Sequence, residues 1–158
     1  MERKNRVTED QKKFLKESIE VFPVKLTDSM VRQFLDYYEI LIEWNQVMNL
    51  TAIVDYQEVV KKHFVDSISL VNVMDLNHGQ KVIDIGTGAG FPGIPLKILF
   101  PELEVTLLDS LNKRIRFLNE VIDRLNLSGI ETIHGRAEDY ARRKEYREQF
   151  DLCVSRAV

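Results

Sequence analysis

One cysteine, Cys153, is all the thiol in this chain of 158 residues, so no internal disulfide can form and a reducing compartment is expected. Long apolar runs are missing too: none approaches the ~20 residues that cross a bilayer. The basic opening Met1-Glu2-Arg3-Lys4-Asn5-Arg6 has no apolar stretch behind it, so no secretory signal is expected and the expected setting is cytoplasmic. Histidine is scarce, at three residues, and no Cys/His cluster accompanies them, so no metal is implied. Neither sign of charge dominates: 22 basic residues face 25 acidic ones for a net charge of −3, which argues against bulk electrostatic capture of nucleic acid. With 44% hydrophobic and 30% charged residues the composition is ordinary for a globular domain, which excludes a disordered or collagen-like chain. Glycine is sparse at seven, yet Gly86, Gly88, Gly90 and Gly93 fall within one short stretch.

Charge is unevenly spread. Residues 26–58 carry Asp28, Asp36, Glu39, Glu43, Asp55 and Glu58 against Arg32 alone. Lys113, Arg114 and Arg116 cluster, as do Arg136, Arg142, Arg143, Lys144 and Arg147. Solvated helix faces account for such clusters, and a surface facing a polyanion is the alternative.

Residues 1–76 read as a helical extension. Thr8-x-x-Gln11 forms a capping box ahead of Phe14, Leu15, Ile19 and Phe22, and Pro23 ends that helix. Thr27 or Asp28 caps a second, whose core stripe is Val31, Phe34, Leu35, Tyr38, Leu41 and Ile42, extended by Trp44. Asp55-x-x-Glu58 caps a third carrying Val59, Val60, Phe64, Ile68 and Val71, with a break near Asp66. Asn77-His78-Gly79 makes a turn.

Residues 77–158 alternate strand with helix. Strands are expected at Val82–Ile85, Glu104–Asp109, Ile130–His134 and Asp151–Ser155, with helices at Pro92–Phe100, Asn112–Leu127 and Glu138–Glu148. Such alternation predicts an α/β fold with a parallel sheet and right-handed crossovers. Cys153 alternates with apolar neighbours and is expected in the core. A doubly wound sheet ordinarily has more strands, so the expectation is a chain truncated after the fourth, with an apolar edge open to self-association.

The chemistry concentrates at Asp84-Ile85-Gly86-Thr87-Gly88-Ala89-Gly90, where the first strand gives way to a helix. Ligands bind at that end of parallel strands, and glycines allow the backbone to approach them. Two registers fit: Gly86, Gly88 and Gly90 as GxGxG, or Gly88, Gly90 and Gly93 as the GxGxxG dinucleotide fingerprint. In either register Asp109 ends the second strand about 20 residues on, where an acid accepts hydrogen bonds from ribose hydroxyls. Asp84 separates the registers: a carboxylate here opposes a pyrophosphate by ~1–4 kcal/mol but favours the ammonium and sulfonium of S-adenosyl-L-methionine (SAM). Alternatively Asp84 only binds loop amides and Asp109 only caps a helix. After the third strand, Glu138 and Asp139 either bind an adenine edge or serve as first-turn helix acids.

These residues resemble a known family, the glucose-inhibited division protein B or ribosomal RNA small-subunit methyltransferase G group. The resemblance runs from about Met30 to Val158 through Trp44-Asn45, Asn49-Leu50-Thr51, His63-x-x-Asp66-Ser67, Asp84 to Pro92, Asp109-Ser110-x-x-Lys113-Arg114, Arg136-Ala137-Glu138 and Arg156-Ala157-Val158. It implies a Rossmann-like SAM-dependent methyltransferase fold and methyl transfer to N7 of a guanine in 16S rRNA or the small ribosomal subunit. By resemblance Gly86, Phe91, Ala137, Glu138 and Arg156 are cofactor contacts, beside Asp84, Gly88, Gly90 and Asp109. His63 and Asp66 are nominated for the substrate side, with packing as the alternative. Asn45 and Asn49 either cap the acidic helix or touch RNA. Lys113 and Arg114 near the cofactor mouth resemble the family's phosphate contacts, and Arg156 meets the target base or pairs with an acid. No acid or base is assigned as catalytic. An NAD-binding oxidoreductase and a non-catalytic cofactor- or RNA-binding fragment are the competing readings.

Overall fold

The computed structural model describes residues 8–76 and 79–156. Asn77 and His78 of the expected turn, and Ala157-Val158, lie outside the described residues.

Thr8 opens α1 (Glu9–Ile19) with the expected reciprocal cap: Gln11 N donates to Thr8 Oγ1 at 3.2 Å, and Thr8 N donates to Gln11 Oε1 at 3.1 Å. The helix ends at Ile19, ahead of Pro23, so Phe22 lies beyond it. In α2 (Asp28–Asn45) Thr27 is the cap, its Oγ1 accepting from Met30 N at 3.2 Å. Asp55 caps α3 (Tyr56–Val59), which widens into π-type turns over Val60–Val65, tightens in α4 (Asp66–Ile68), and closes in a 3₁₀ turn over Ser69–Asn72. The helical path is not broken near Asp66 as expected, but its winding changes there, as it does at Val60 and again after Ile68.

The sheet holds β1 (Lys81–Ile85), β2 (Glu104–Asp109), β3 (Ile130–His134) and β4 (Leu152–Val154) in the order β3-β2-β1-β4, every pair parallel. Ile83 stands opposite Thr106 on one side and Cys153 on the other. The connections carry α5 (Gly93–Leu99), α6 (Asn112–Arg124) and α7 (Ala137–Ala141). The expected helix over Glu138–Glu148 therefore runs only to Ala141. Arg142, Arg143 and Lys144 crowd its continuation, Arg143 and Arg147 would repel at i,i+4, and turns instead bring Tyr146 and Phe150 back onto the sheet.

Two apolar clusters cover the two sheet faces. The larger joins Leu15, Phe34, Tyr37 and Phe64 from the N-terminal helices to Ile94, Leu107, Phe117 and Val154, so helical extension and sheet share one core. The smaller joins Ile83, Leu108 and Ile133 to Ala137, Tyr140, Tyr146 and Phe150. Because α2 packs against α1, α5 and α6 together, its buried arc is wider than the expected stripe. Tyr37 and Ile40 are fully buried, whereas Tyr38 and Ile42 are only half-buried. Trp44 extends the stripe as expected, its Nε1 donating to Glu120 at 2.8 Å. Cys153 is exposed, contrary to expectation: on the short edge strand β4 the alternation turns Val154 into the larger core and Cys153 to the opposite face.

Candidate functional site

The carboxyl ends of β1, β2 and β3 meet at the glycine loop. Gly88 and Gly90 adopt φ of +59° and +97°, a region that penalises side chains. At Gly90 space is limiting as well, since a Cβ would lie 2.6 Å from both Ile94 Cδ1 and the Tyr37 hydroxyl. Thr87 N donates to Leu108 O at 3.1 Å, tying the loop to β2.

Two buried carboxylates hold this loop from below. Asp84 is fully buried; its Oδ2 accepts from Thr87 Oγ1 at 2.7 Å and Gly93 N at 2.9 Å, while Oδ1 has no partner. Burial raises its pKa from 3.8 to about 7, against the opposing hydrogen bonds from Thr87 and Gly93. The loop-amide alternative thus describes Oδ2, and Oδ1 is left as a spare buried acceptor beneath the loop. Asp109 accepts from Gly88 N through Oδ2 and from Leu111 N through Oδ1, both at 2.9 Å, with Arg114 Nη1 3.5 Å from Oδ2. It is not the N-cap of α6, a position that Leu111 takes. The carboxylate bridges the loop and the start of α6, and its remaining lone pairs are free to accept.

Beside Asp109 opens a cleft of about 300 Å³ lined by Ile85, Gly86, Leu108, Asp109, Ser110, Gly135, Arg136, Ala137 and Glu138. Gly86, Asp109, Ala137 and Glu138 come from three separate segments, and the parallel register brings them together. An apolar hollow of about 220 Å³ shares Ile85, Leu108 and Ala137 with it. Two larger hollows, about 480 and 690 Å³, lie elsewhere and include none of the glycine-loop residues.

Phe91 and Arg156 sit apart from this cleft, with the residues nominated for the substrate side. Arg156 Nη1 lies 3.1 Å from Asp66 Oδ2, its Nη2 lies 2.7 Å from His63 Nδ1, and its guanidinium carbon lies 5.0 Å from the Phe91 ring centre. His63 stacks on Phe91 at 4.5 Å and 10°. Burial first, then Arg156, lowers the His63 pKa to about 4. Asn45 Oδ1 accepts from Leu50 N at 2.9 Å and Thr51 N at 3.0 Å, closing the turn after α2, while Asn49 is exposed. Lys113 is exposed and Arg114 faces Asp109. Among the described residues no group of three or more His, Cys, Asp or Glu side chains could hold a metal, and no helix is long and apolar enough to cross a membrane.

Tyr37 is the residue supporting this loop that sequence reasoning missed. Its ring stacks on Phe64 and its hydroxyl donates to the buried Ala89 carbonyl, so α2 grips the glycine loop directly. The only local signal was a second tyrosine next to the one assigned to the stripe. Tyr37→Phe orphans that carbonyl and is expected to lower stability by ~1–2 kcal/mol, read from urea denaturation curves.

This architecture has known counterparts. A protein-L-isoaspartate O-methyltransferase superposes with a TM-score of 0.57 at 15% identity, covering 91% of this chain and 47% of that one. A Methanococcus maripaludis protein assigned to the S-adenosyl-L-methionine-dependent methyltransferases gives 0.53 at 21% identity, over 76% and 48%. The fold is therefore the Rossmann-like one of SAM-dependent methyltransferases, with helices added at the amino end. More narrowly, the model of the GidB family, rRNA small subunit methyltransferase G, matches residues 30–158, and the chain belongs to that family. Proteins named ribosomal RNA small subunit methyltransferase G are 59% identical over 133 residues in Lachnoclostridium phytofermentans (84% of this chain, 55% of the relative) and 51% identical over 144 residues in Desulforamulus reducens (91% and 60%). The chain spans between half and two thirds of the length of the curated relatives it matches. Membership of a methyltransferase family sets aside the oxidoreductase reading.

Proposed function

We propose that the protein binds SAM in the cleft beside Asp109 and transfers its methyl group to N7 of a guanine in 16S rRNA, in the cytoplasm, as free rRNA or within the small ribosomal subunit. One observation carries the reading: a buried acid pair, Asp84 and Asp109, beneath a glycine loop that opens onto Gly86, Ala137 and Glu138. The residues fit the cofactor's chemistry. Asp109 retains lone pairs for a ribose diol, the Ile85, Leu108 and Ala137 side of the cleft offers an apolar wall, and the unpartnered Asp84 Oδ1 supplies negative potential that favours a cation above it. When bound, SAM supplies an electrophilic methyl on a sulfonium.

The chain's own part is placement. Guanine N7 has a lone pair and no proton, so no general base is required and rate comes from orientation and exclusion of water. On this reading Arg156, just beyond β4, meets the base, and Lys113 and Arg114, with Arg116 beside them in the sequence, meet phosphate. Phosphate contacts make RNA affinity fall steeply with salt.

The test is calorimetric titration with S-adenosylhomocysteine and, in parallel, NADH, followed by transfer of labelled methyl into small subunits and naked 16S rRNA. Saturable binding of the first ligand alone, with label in rRNA, is the expected result. NADH binding overturns the cofactor assignment, and cofactor binding without transfer leaves a non-catalytic module.

A further inference from the structure

The cluster around Arg156 is built more elaborately than an ion pair requires. Arg156 Nη1 donates to Asp66 Oδ2 at 3.1 Å and to the carbonyls of Lys62 and His63 at 3.3 and 3.5 Å. Those carbonyls belong to the widened turns over Val60–Val65, a helix irregularity that is frequent at functional sites. Arg156 Nη2 is 2.7 Å from His63 Nδ1. A guanidinium has donors only, so Nδ1 must be the acceptor and Nε2 must carry the proton. The Nε2–H then donates to Thr51 Oγ1 at 2.9 Å, the same oxygen that accepts from Ile53 N at 3.1 Å. Asn45 holds Thr51 N in turn, at 3.0 Å.

The short Nη2–Nδ1 contact places the imidazole and guanidinium side by side on one side of the Phe91 ring. Ser155 Oγ donates to Ile85 O at 2.9 Å, anchoring the residue before Arg156 at the mouth of the glycine loop. The Arg156 side chain retains 26% exposure, so part of this surface faces outward beside the loop.

Resting on the methyltransferase reading, we infer that His63 is a positioning residue: its neutral ring, through Nδ1, and Asp66 together lock the Arg156 guanidinium beside Phe91 as a fixed platform for the flat target base. Burial keeps the ring uncharged at neutral pH, so the acceptor persists next to a permanent cation. Arg156 meets the base; His63 acts only through Arg156.

Two substitutions in the full-length protein separate this role from packing. His63→Phe keeps a flat ring against Phe91 but removes the acceptor, whereas His63→Asn loses the ring but keeps an amide oxygen near the Nδ1 position. The expected result is a fall in kcat for methyl transfer of roughly 10²-fold for His63→Phe, the scale of a misplaced positioning group, with recovery of most of it in His63→Asn. The reverse order, Phe active and Asn inactive, overturns the inference in favour of packing. Nitrogen NMR of the wild-type imidazole gives a readout independent of activity: Nδ1 should be the unprotonated nitrogen, and finding the proton there also overturns it. A wild-type protein that binds no S-adenosylhomocysteine and transfers no methyl counts against the methyltransferase reading itself, while the NMR result still reports the tautomer.

Discussion

Asp109→Ala is expected to weaken S-adenosylhomocysteine binding about 10²-fold, equivalent to about 3 kcal/mol, the worth of one or two hydrogen bonds to a charged group. The loss has two sources. The carboxylate offers the acceptors for a ribose diol, and it also holds Gly88 N and Leu111 N at 2.9 Å each. Removing it releases the middle of the glycine loop and the entry to α6 together. Asp109→Asn separates the two effects, because one amide oxygen can still receive Gly88 N or a ribose hydroxyl but not the full set. Its affinity should fall between wild type and Asp109→Ala in a calorimetric titration. Equal affinity in wild type and Asp109→Ala removes Asp109 from the site.

Asp84→Asn should stabilise the ligand-free protein by as much as about 4 kcal/mol at pH 8 relative to pH 4. The sign follows from burial. With a folded pKa near 7 against 3.8, the folded protein keeps the Asp84 proton where the unfolded chain has already lost it. The contribution of this group is complete below about pH 4 and is lost as pH rises through about 7. The asparagine cannot ionise, and its amide oxygen can keep the hydrogen bonds from Thr87 and Gly93. Urea midpoints of both proteins across pH 4 to 8 isolate the effect from other carboxylates, and a pH-independent difference refutes it. The same linkage acts on the ligand: the sulfonium of SAM above the loop favours ionised Asp84, so affinity for SAM should rise between pH 6 and 8, and this rise should vanish in Asp84→Asn.

Both expectations concern residues visible in the sequence. An acid that interrupts an apolar strand, a glycine cluster and a second acid ending the next strand form a local pattern, and local patterns survive into the fold. β2 and β3 have the limits expected from their β-branched runs. Other expectations failed where neighbours distant in sequence intervene. α2 buries Tyr37 in place of Tyr38 because α1, α5 and α6 surround it, which a one-dimensional stripe does not express. The helix expected through Glu148 stops at Ala141 because Tyr146 and Phe150 gain more by folding back onto Ile83, Leu108 and Ile133.

The sequence alone therefore determined the layout of strands and helices, the glycine loop with its two acids, and the family, since each is written in short-range spacing and residue type. Only the tertiary structure decided which groups touch. Tyr37 reaches Ala89 across 52 positions, and Arg156 reaches His63 across 93. Those meetings exist because parallel pairing sets β4 beside β1 while the buried face of the N-terminal helices packs against the same sheet. Burial then sets the charge states: the same Asp84 and His63 in an open chain would keep ordinary pKa values, and inside this core the acid is raised and the imidazole is held neutral.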